Sequence, residues 1–451
     1  MTYRTKLFHA LAACGVALLT TVLPAAPVSA RTAANTRPNV LILLMDDART
    51  GMTWVMPKAM SWMGDGGTYF PKTVVTTPSC CPSRSTILSG RYAHNTRVTQ
   101  QTGIGNLDHT RTLEHDLKLA GYQTAAVGKL FNDWNVSTRP PYFDHWALTN
   151  GGYDNARFVV DGKAVTVPYS TTFIAQQVNR YLDGFESHDG QPWLLYAGFT
   201  APHSPFTPEQ KYANVSYPWS GNPATAETDR SDKPAYVRRF NSTLAAGAAT
   251  RQAMLRTMLS VDDAVDAIHR HLDALGEQNT LVFLLSDNGK FFGEHKLVEK
   301  FMPYLQAEQV PLYVRWPGHT TVAQDNRMAA NLDITPTALA AAGVRPSYTY
   351  DGRDLLAPPS RTHLLFEYWR DPSNGAGIPS WASTYVADRY IYTEIYNDDG
   401  SVLDREYYNL ANDPWQLTNL FHDGVPGNDP AIGPLSRALA AERVCAGSGC
   451  P

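Results

Sequence analysis
The chain has 451 residues, 43% of them hydrophobic and 18% charged, which is enough apolar material for one large or two unequal globular domains and excludes a largely disordered chain. A formal charge of -4 and a pI near 6.3 leave no general basic field, which argues against nucleic acid or an anionic membrane as a bulk partner. An anionic ligand would have to meet a local cluster of cations.

At the N-terminus, Arg4 and Lys6 precede the apolar run LFHALAACGVALLTTVLPAA, and VSA at residues 28–30 offers a small-residue cleavage site. Residues 1–30 therefore read as an export signal, with the mature chain starting near Arg31, no stable membrane anchor, and a secreted or extracytoplasmic location. In such an oxidising compartment Cys445 and Cys450, which flank Ala-Gly-Ser-Gly, are candidates for a disulfide at the C-terminus. Next in the chain, NVLILLMDD (residues 39–47) is a continuous apolar run ending in acids, as expected of a buried parallel strand whose C-terminal edge carries function. YQTAAVGK and PWLLYAGF read as further core strands, and TLVFLLSDNG (residues 280–289) repeats the apolar run with an acidic end. Before it, Leu255, Met258, Val261, Val265, Ile268, Leu272 and Leu275 recur at helical spacing, with His269 and His271 beside that stripe as solvated helix residues. After Pro358 the aromatic, β-branched runs HLLFEYWR, TYVADRYIYTEIY and REYYNL predict an antiparallel sheet. The organisation read from these signals is a large α/β domain over residues 31–358, built on a mixed, mostly parallel sheet flanked by helices, and a small α+β subdomain over residues 359–451.

Two acidic strand ends at one sheet edge, Asp46 with Asp47 and Asp287 with Asn288, would supply oxygen ligands to a hard divalent cation, calcium or alternatively magnesium. Either pair alone reads rather as helix caps or turn formers, and it is the two together, each closing an apolar strand, that point to a metal. The stretch SCCPSRSTILSGR (residues 79–91) sets Cys80 and Cys81 side by side, where they do not readily pair with each other, and follows Cys80 with Pro82, Ser83, Arg84, Leu88, Ser89, Gly90 and Arg91.

That stretch resembles the signature of the type I sulfatases, in which the first cysteine is oxidised to formylglycine by a formylglycine-generating enzyme and the aldehyde hydrate is the nucleophile. Cys80 has proline and arginine at the family's offsets, and Cys81 does not. Further segments look like other parts of the family: NVLILLMDD its first metal strand, GKL (128–130) its lysine turn, APHSPF (201–206) its histidine loop, SDNGKFFGEHKLVEK (286–300) its second metal segment, and EYYNLANDPWQLTNL (406–420) its C-terminal phrase. The resemblance implies an alkaline phosphatase-like fold and hydrolysis of sulfate monoesters. It also implies one calcium bound by Asp46, Asp47, Asp287, Asn288 and an oxygen of modified Cys80. Arg84 would hold the hydrate, and Lys129, His203 and Lys300 would contact the sulfate, with His203 or Lys300 near the leaving group.

One segment departs from the common pattern: GKLFNDW lacks the histidine many members carry shortly after the lysine and has Asn132 three residues on. This form, the double cysteine and GRYAHN (90–95) are similar to the N-acetylglucosamine-6-sulfatase branch, which implies a sulfated amino sugar or glycan as substrate. A phosphate or phosphonate monoesterase on the same fold and an inactive binder of sulfated glycans are the competing readings, while a structural zinc at the cysteines lacks partners at zinc spacing. His94 and His295 lie in motif-like segments without an assigned role, and Asn135, Asn214 and Asn241 begin glycosylation sequons.

Overall fold
Between Asn39 and Met45 every residue is buried, and this seven-residue run forms the strand β1 at the centre of the molecule. The computed structural model describes residues 1–2, 37–187, 190–320, 322–358 and 361–451, so nearly all of the predicted export signal lies outside the described residues. Asn35–Pro451 falls in one compact unit. In chain order the strands are β1 (Asn39–Met45), β2 (Gly67–Tyr69), β3 (Thr73–Val74), β4 (Gln123–Gly128), β5 (His145–Leu148), β6 (Asp154–Val160), β7 (Lys163–Tyr169), β8 (Trp193–Gly198), β9 (Thr280–Ser286), β10 (Leu312–Arg315), β11 (Ala329–Ala330), β12 (Leu364–Tyr368), β13 (Ser380–Val386), β14 (Tyr390–Tyr396) and β15 (Val402–Tyr408).

Nine of them make one sheet in the order β2-β10-β9-β1-β8-β4-β5-β6-β7. The central β9-β1-β8-β4-β5 run is parallel, and the strands outside it pair antiparallel. Because side chains alternate across a strand, Leu41, Leu43 and Met45 enter one core and Val40, Ile42 and Leu44 the other. Helices Ser170–Glu186 and Leu244–Leu275 cover the first face, and helices Cys80–Ser89, Leu113–Leu119 and Ile334–Ala341 cover the second. A strand buried on both faces has to be apolar throughout, which is why the acids begin only where the strand ends.

The long helix Leu244–Leu275 starts at Thr243, whose hydroxyl accepts from Ala246 N at 3.1 Å, and ends at Gly276. Leu255, Met258, Val261, Val265, Ile268 and Leu272 are all buried, a stripe worth on the order of 10 kcal/mol in transfer terms. His269 and His271 lie on its flanks, the first stacked on Trp62 and the second paired with Asp183 at 2.8 Å. Strands β12–β15 form a separate antiparallel sheet with its own aromatic core. Cys445 and Cys450 are joined by a disulfide, and the loop they close is tied down where Gly447 N donates to Asp351 at 2.7 Å. Among the described residues no helix is long and apolar enough to cross a membrane.

Candidate active site
The five parallel strands end at one edge of the sheet, and turns after four of them carry predicted site residues. Met45 is in register with Ser286, so Asp46 and Asp287 leave the sheet side by side. Asp47 then takes a left-handed backbone (φ 73°), and its N–H donates to Asp287 Oδ1 at 3.2 Å. Ser286 Oγ accepts from Ala48 N at 2.9 Å and holds the turn. Two glycines close β4 against β8: a Cβ on Gly128 would lie 2.0 Å from the Gly198 carbonyl, and one on Gly198 would lie 2.1 Å from the Lys129 carbonyl. Only bare backbone there lets Lys129 and the loop carrying His203 converge on Asp46 and Asp47.

Cys80 is the first residue of helix Cys80–Ser89, where the unpaired N–H groups give a partial positive charge. Its thiol donates to Asp46 Oδ1 at 3.4 Å and accepts from Lys300 Nζ at 2.9 Å. One turn along, the fully buried Arg84 sends Nε to Asp287 Oδ2 (2.7 Å), Nη1 to the Lys129 carbonyl (2.6 Å) and to Tyr196 Oη (2.9 Å), and Nη2 toward Asp46 Oδ2 (3.3 Å). Lys129 pairs with Asp46, and Lys300 pairs with Asp47. Asn288 Nδ2 donates to Asp47 Oδ1 at 2.7 Å. His203 Nε2 lies 4.0 Å from Asp47 Oδ2 with its side chain 32% exposed, whereas Lys129, the most open of the others, is at 7%. The imidazole therefore marks the mouth of the site.

Charge in this buried cluster is tightly paired. Burial alone would raise Asp46 and Asp47, but Lys129, His203 and Arg84 hold the first below the ordinary carboxylate range, and Lys300, His203 and Lys290 do the same for the second. Asp287 is raised, by burial and then by Asp46, with Arg84 only partly offsetting them. Burial and the Asp46 charge push the Cys80 thiol up to about 12, so at neutral pH it is a protonated thiol and a poor nucleophile.

Two oxygens at the centre, Asp47 Oδ2 and Asn288 Oδ1, are buried without a hydrogen-bond partner. With Asp46 and Asp287 they form an all-oxygen donor set, which fits a hard divalent cation. One ligand atom each from Asp46, Asp47, Cys80 and His203 lie within 4.8 Å of one another.

Other residues singled out in the sequence lie elsewhere. The Cys81 thiol is buried beside Asp133, at 3.9 Å, and Asn132 is exposed. His94 bridges Glu367 (2.8 Å) and the Cys445 carbonyl (2.9 Å), a strut to the C-terminal loop. His295 is fully buried, bonded to Glu227 at 2.8 Å and stacked on Tyr304. Asn135, Asn214 and Asn241 are all exposed. Sequence reasoning missed Tyr196, hidden in an apolar strand, and Lys290, whose only signal is its place two residues after Asn288.

The Sulfatase family model matches residues 38–344, and the model of the C-terminal region of N-sulphoglucosamine sulphohydrolase matches residues 293–439. The chain belongs to the sulfatase family. It is a sulfuric ester hydrolase with the alkaline phosphatase-like sulfatase fold. This sulfatase is 30% identical to human N-acetylglucosamine-6-sulfatase over 98% of the chain and 91% of the human protein. It is also 30% identical to an extracellular sulfatase SULF-1 homolog of Drosophila melanogaster, over 74% of the chain but only 32% of that longer protein. Among solved structures, a protein in complex with its substrate D-glucosamine-2-N,6-O-disulfate matches with a TM-score of 0.78 at 21% identity, covering 90% of this chain and 97% of the other. At that identity the likeness is one of fold.

Proposed function
We propose that this sulfatase is an exported enzyme that releases inorganic sulfate from a sulfated sugar of the N-acetylglucosamine-6-sulfate class, using a formylglycine made from Cys80 and one calcium ion. The observation that carries this reading is the position of Cys80 Sγ, between Lys300 Nζ and Asp46 at the N-terminus of a buried helix. Such a focus of opposite charges suits a group whose own charge develops during the reaction. Formylglycine, installed by a formylglycine-generating enzyme, would supply a hydrate with one hydroxyl to attack sulfur and a second whose deprotonation lets sulfate leave. Calcium held by Asp46, Asp47, Asp287 and Asn288 would act as a Lewis acid toward the ester. It suits the site better than magnesium because three carboxylates converge there, and magnesium is usually held by one or two.

The remaining roles follow from placement. Arg84 Nη2 faces Asp46 Oδ2 at 3.3 Å without a hydrogen bond to it, which leaves a donor to hold the oxygen borne by residue 80. Lys129 and Lys300 neutralise the sulfate oxygens as charge builds in the transition state. His203, at the mouth, protonates the departing alcohol. The proposal includes export of residues 31–451, with a catalytic part to Pro358 and a C-terminal subdomain after it.

The test is mass spectrometry of the tryptic peptide Thr73–Arg84 from active protein of the native source. An aldehyde at residue 80 is expected, and active protein holding only the thiol overturns the mechanism. Cys80→Ala should abolish turnover while Cys81→Ala keeps it. In a substrate panel, far more efficient hydrolysis of phosphate monoesters or phenylphosphonate than of N-acetylglucosamine-6-sulfate would count for the phosphorus-ester reading.

A further inference from the structure
Lys290 is a buried cation that the chemistry above leaves unused. Its ammonium lies 3.6 Å from Asp47 Oδ2 and 2.5 Å from Glu299 Oε2, and its side chain is 4% exposed against 58% for Glu299. It also sits 6.0 Å from the ring of Phe206, three residues beyond His203. With Phe206, Ser242, Thr250 and Glu299 it lines a cavity of about 90 Å³. That space is large enough to admit one substituent of a sugar. The lining mixes apolar side chains (Phe206, Phe291, Val298) with two hydroxyls, the Lys290 ammonium and the Glu299 carboxylate, so an anionic group that enters it has Lys290 as its one cationic partner there and Glu299 as its competitor.

Asp47 now faces Lys300, Lys290 and His203. Once a divalent ion claims the Asp47 carboxylate, Lys290 keeps Glu299 as its counter-charge, and an ion pair to a largely solvated carboxylate is weak. An anion delivered into the cavity by the substrate would meet the same ammonium away from water, where the contact is stronger. We propose that Lys290 is a specificity-determining residue. It receives a second anionic substituent of the substrate sugar, a sulfate, sulfamate or carboxylate, in place of Glu299, which turns out into solvent.

The inference rests on the sulfated-sugar reading, and its experiment separates the two. Sulfate release is measured with the full-length, aldehyde-containing enzyme on D-glucosamine-2-N,6-O-disulfate and on N-acetylglucosamine-6-sulfate. The quantity read is the ratio of kcat/KM for the doubly charged over the singly charged sugar. Lys290→Met should lower that ratio about tenfold or more, through KM, because one charged hydrogen bond is lost. Glu299→Gln should raise the ratio, because the competing carboxylate is gone. Opposite shifts from the two partners of one ion pair are not what a purely structural pair would give. Ratios that stay put, or move the same way in both variants, overturn the inference. Calcium titrations of the three proteins guard against an indirect effect through Asp47: a change in calcium affinity as large as the change in ratio also overturns it. A wild-type enzyme inactive on both sugars refutes the functional reading instead.

Discussion

Replacing Arg84 by lysine keeps the charge and removes the fork that ties two acidic strand ends together. The guanidinium is completely buried and places three nitrogens on four groups: Asp287, the Lys129 carbonyl, the Tyr196 hydroxyl and Asp46. An ammonium concentrates its donors at one point, so it can serve the Asp287 side or the Lys129–Tyr196 side and not both. Hydrogen bonds to charged groups contribute about 1.5–3 kcal/mol each, and two are lost with partial replacement, so Arg84→Lys should cost about 3 kcal/mol of stability. For a unit of this size the unfolding entropy is about 0.9 kcal/mol per degree, which makes the loss about 3 °C in Tm. The kinetic effect should be larger in proportion, because Nη2 is also the donor proposed to hold the oxygen at residue 80, and removing one preorganised donor costs about 10²–10³ in kcat. Calorimetry and sulfate release by ion chromatography give both numbers on one preparation. Unchanged Tm and kcat would refute the assigned contacts, and a lower Tm with unchanged kcat would confine Arg84 to a structural role.

Two further expectations concern ions and protons. Calcium at a hundred times its dissociation constant should stabilise the chelator-treated protein by about 2.7 kcal/mol, and Asp47→Asn should shrink that gain, so equal calcium-induced Tm shifts in both proteins would contradict the ligand assignment. Glu114, buried in the first turn of helix Leu113–Leu119 with Oε2 unpartnered, is pushed by burial up to about 8 from an ordinary 4.5. The folded state then holds this proton more tightly than the unfolded chain, so the stability present below about pH 4.5 is lost as pH rises to about 8, at about 1.4 kcal/mol per pH unit. Glu114→Gln should match wild type near pH 4.5 and exceed it by about 3 kcal/mol at pH 7 in denaturant unfolding, and parallel stability curves would sink the assignment.

The parts of the site that could be read from sequence are those whose signal is local. Asp46, Asp47, Asp287 and Asn288 were legible because a strand buried on both faces must be apolar to its last residue, and the acids stand out where it ends. Cys80 and Arg84 were legible as one linear motif on one helix. Lys129, His203 and Lys300 were reached only through resemblance, since a lysine after glycine or a histidine after proline carries no chemistry of its own. His295 looked equally eligible in its segment, yet Glu227, 68 residues away, and the ring of Tyr304 hold it in a packed interior. Tyr196 counts as core until Arg84 is found against its hydroxyl.

The same argument applies to charge. An overall charge of -4 is by itself ill suited to an anionic substrate. In the folded site Asp46, Asp47, Asp287 and Glu299 are set against Arg84, Lys129, Lys290 and Lys300, an even balance brought together by pairs as far apart in sequence as Asp47 and Lys300, 253 residues. Bound in that balanced site, a divalent cation would leave it with a surplus of two positive charges, and the low dielectric of a buried pocket makes each of them count for more than a surface charge. The local cationic cluster that an anionic ester requires is therefore built by convergence and would be completed by the proposed metal, neither of which is visible in composition.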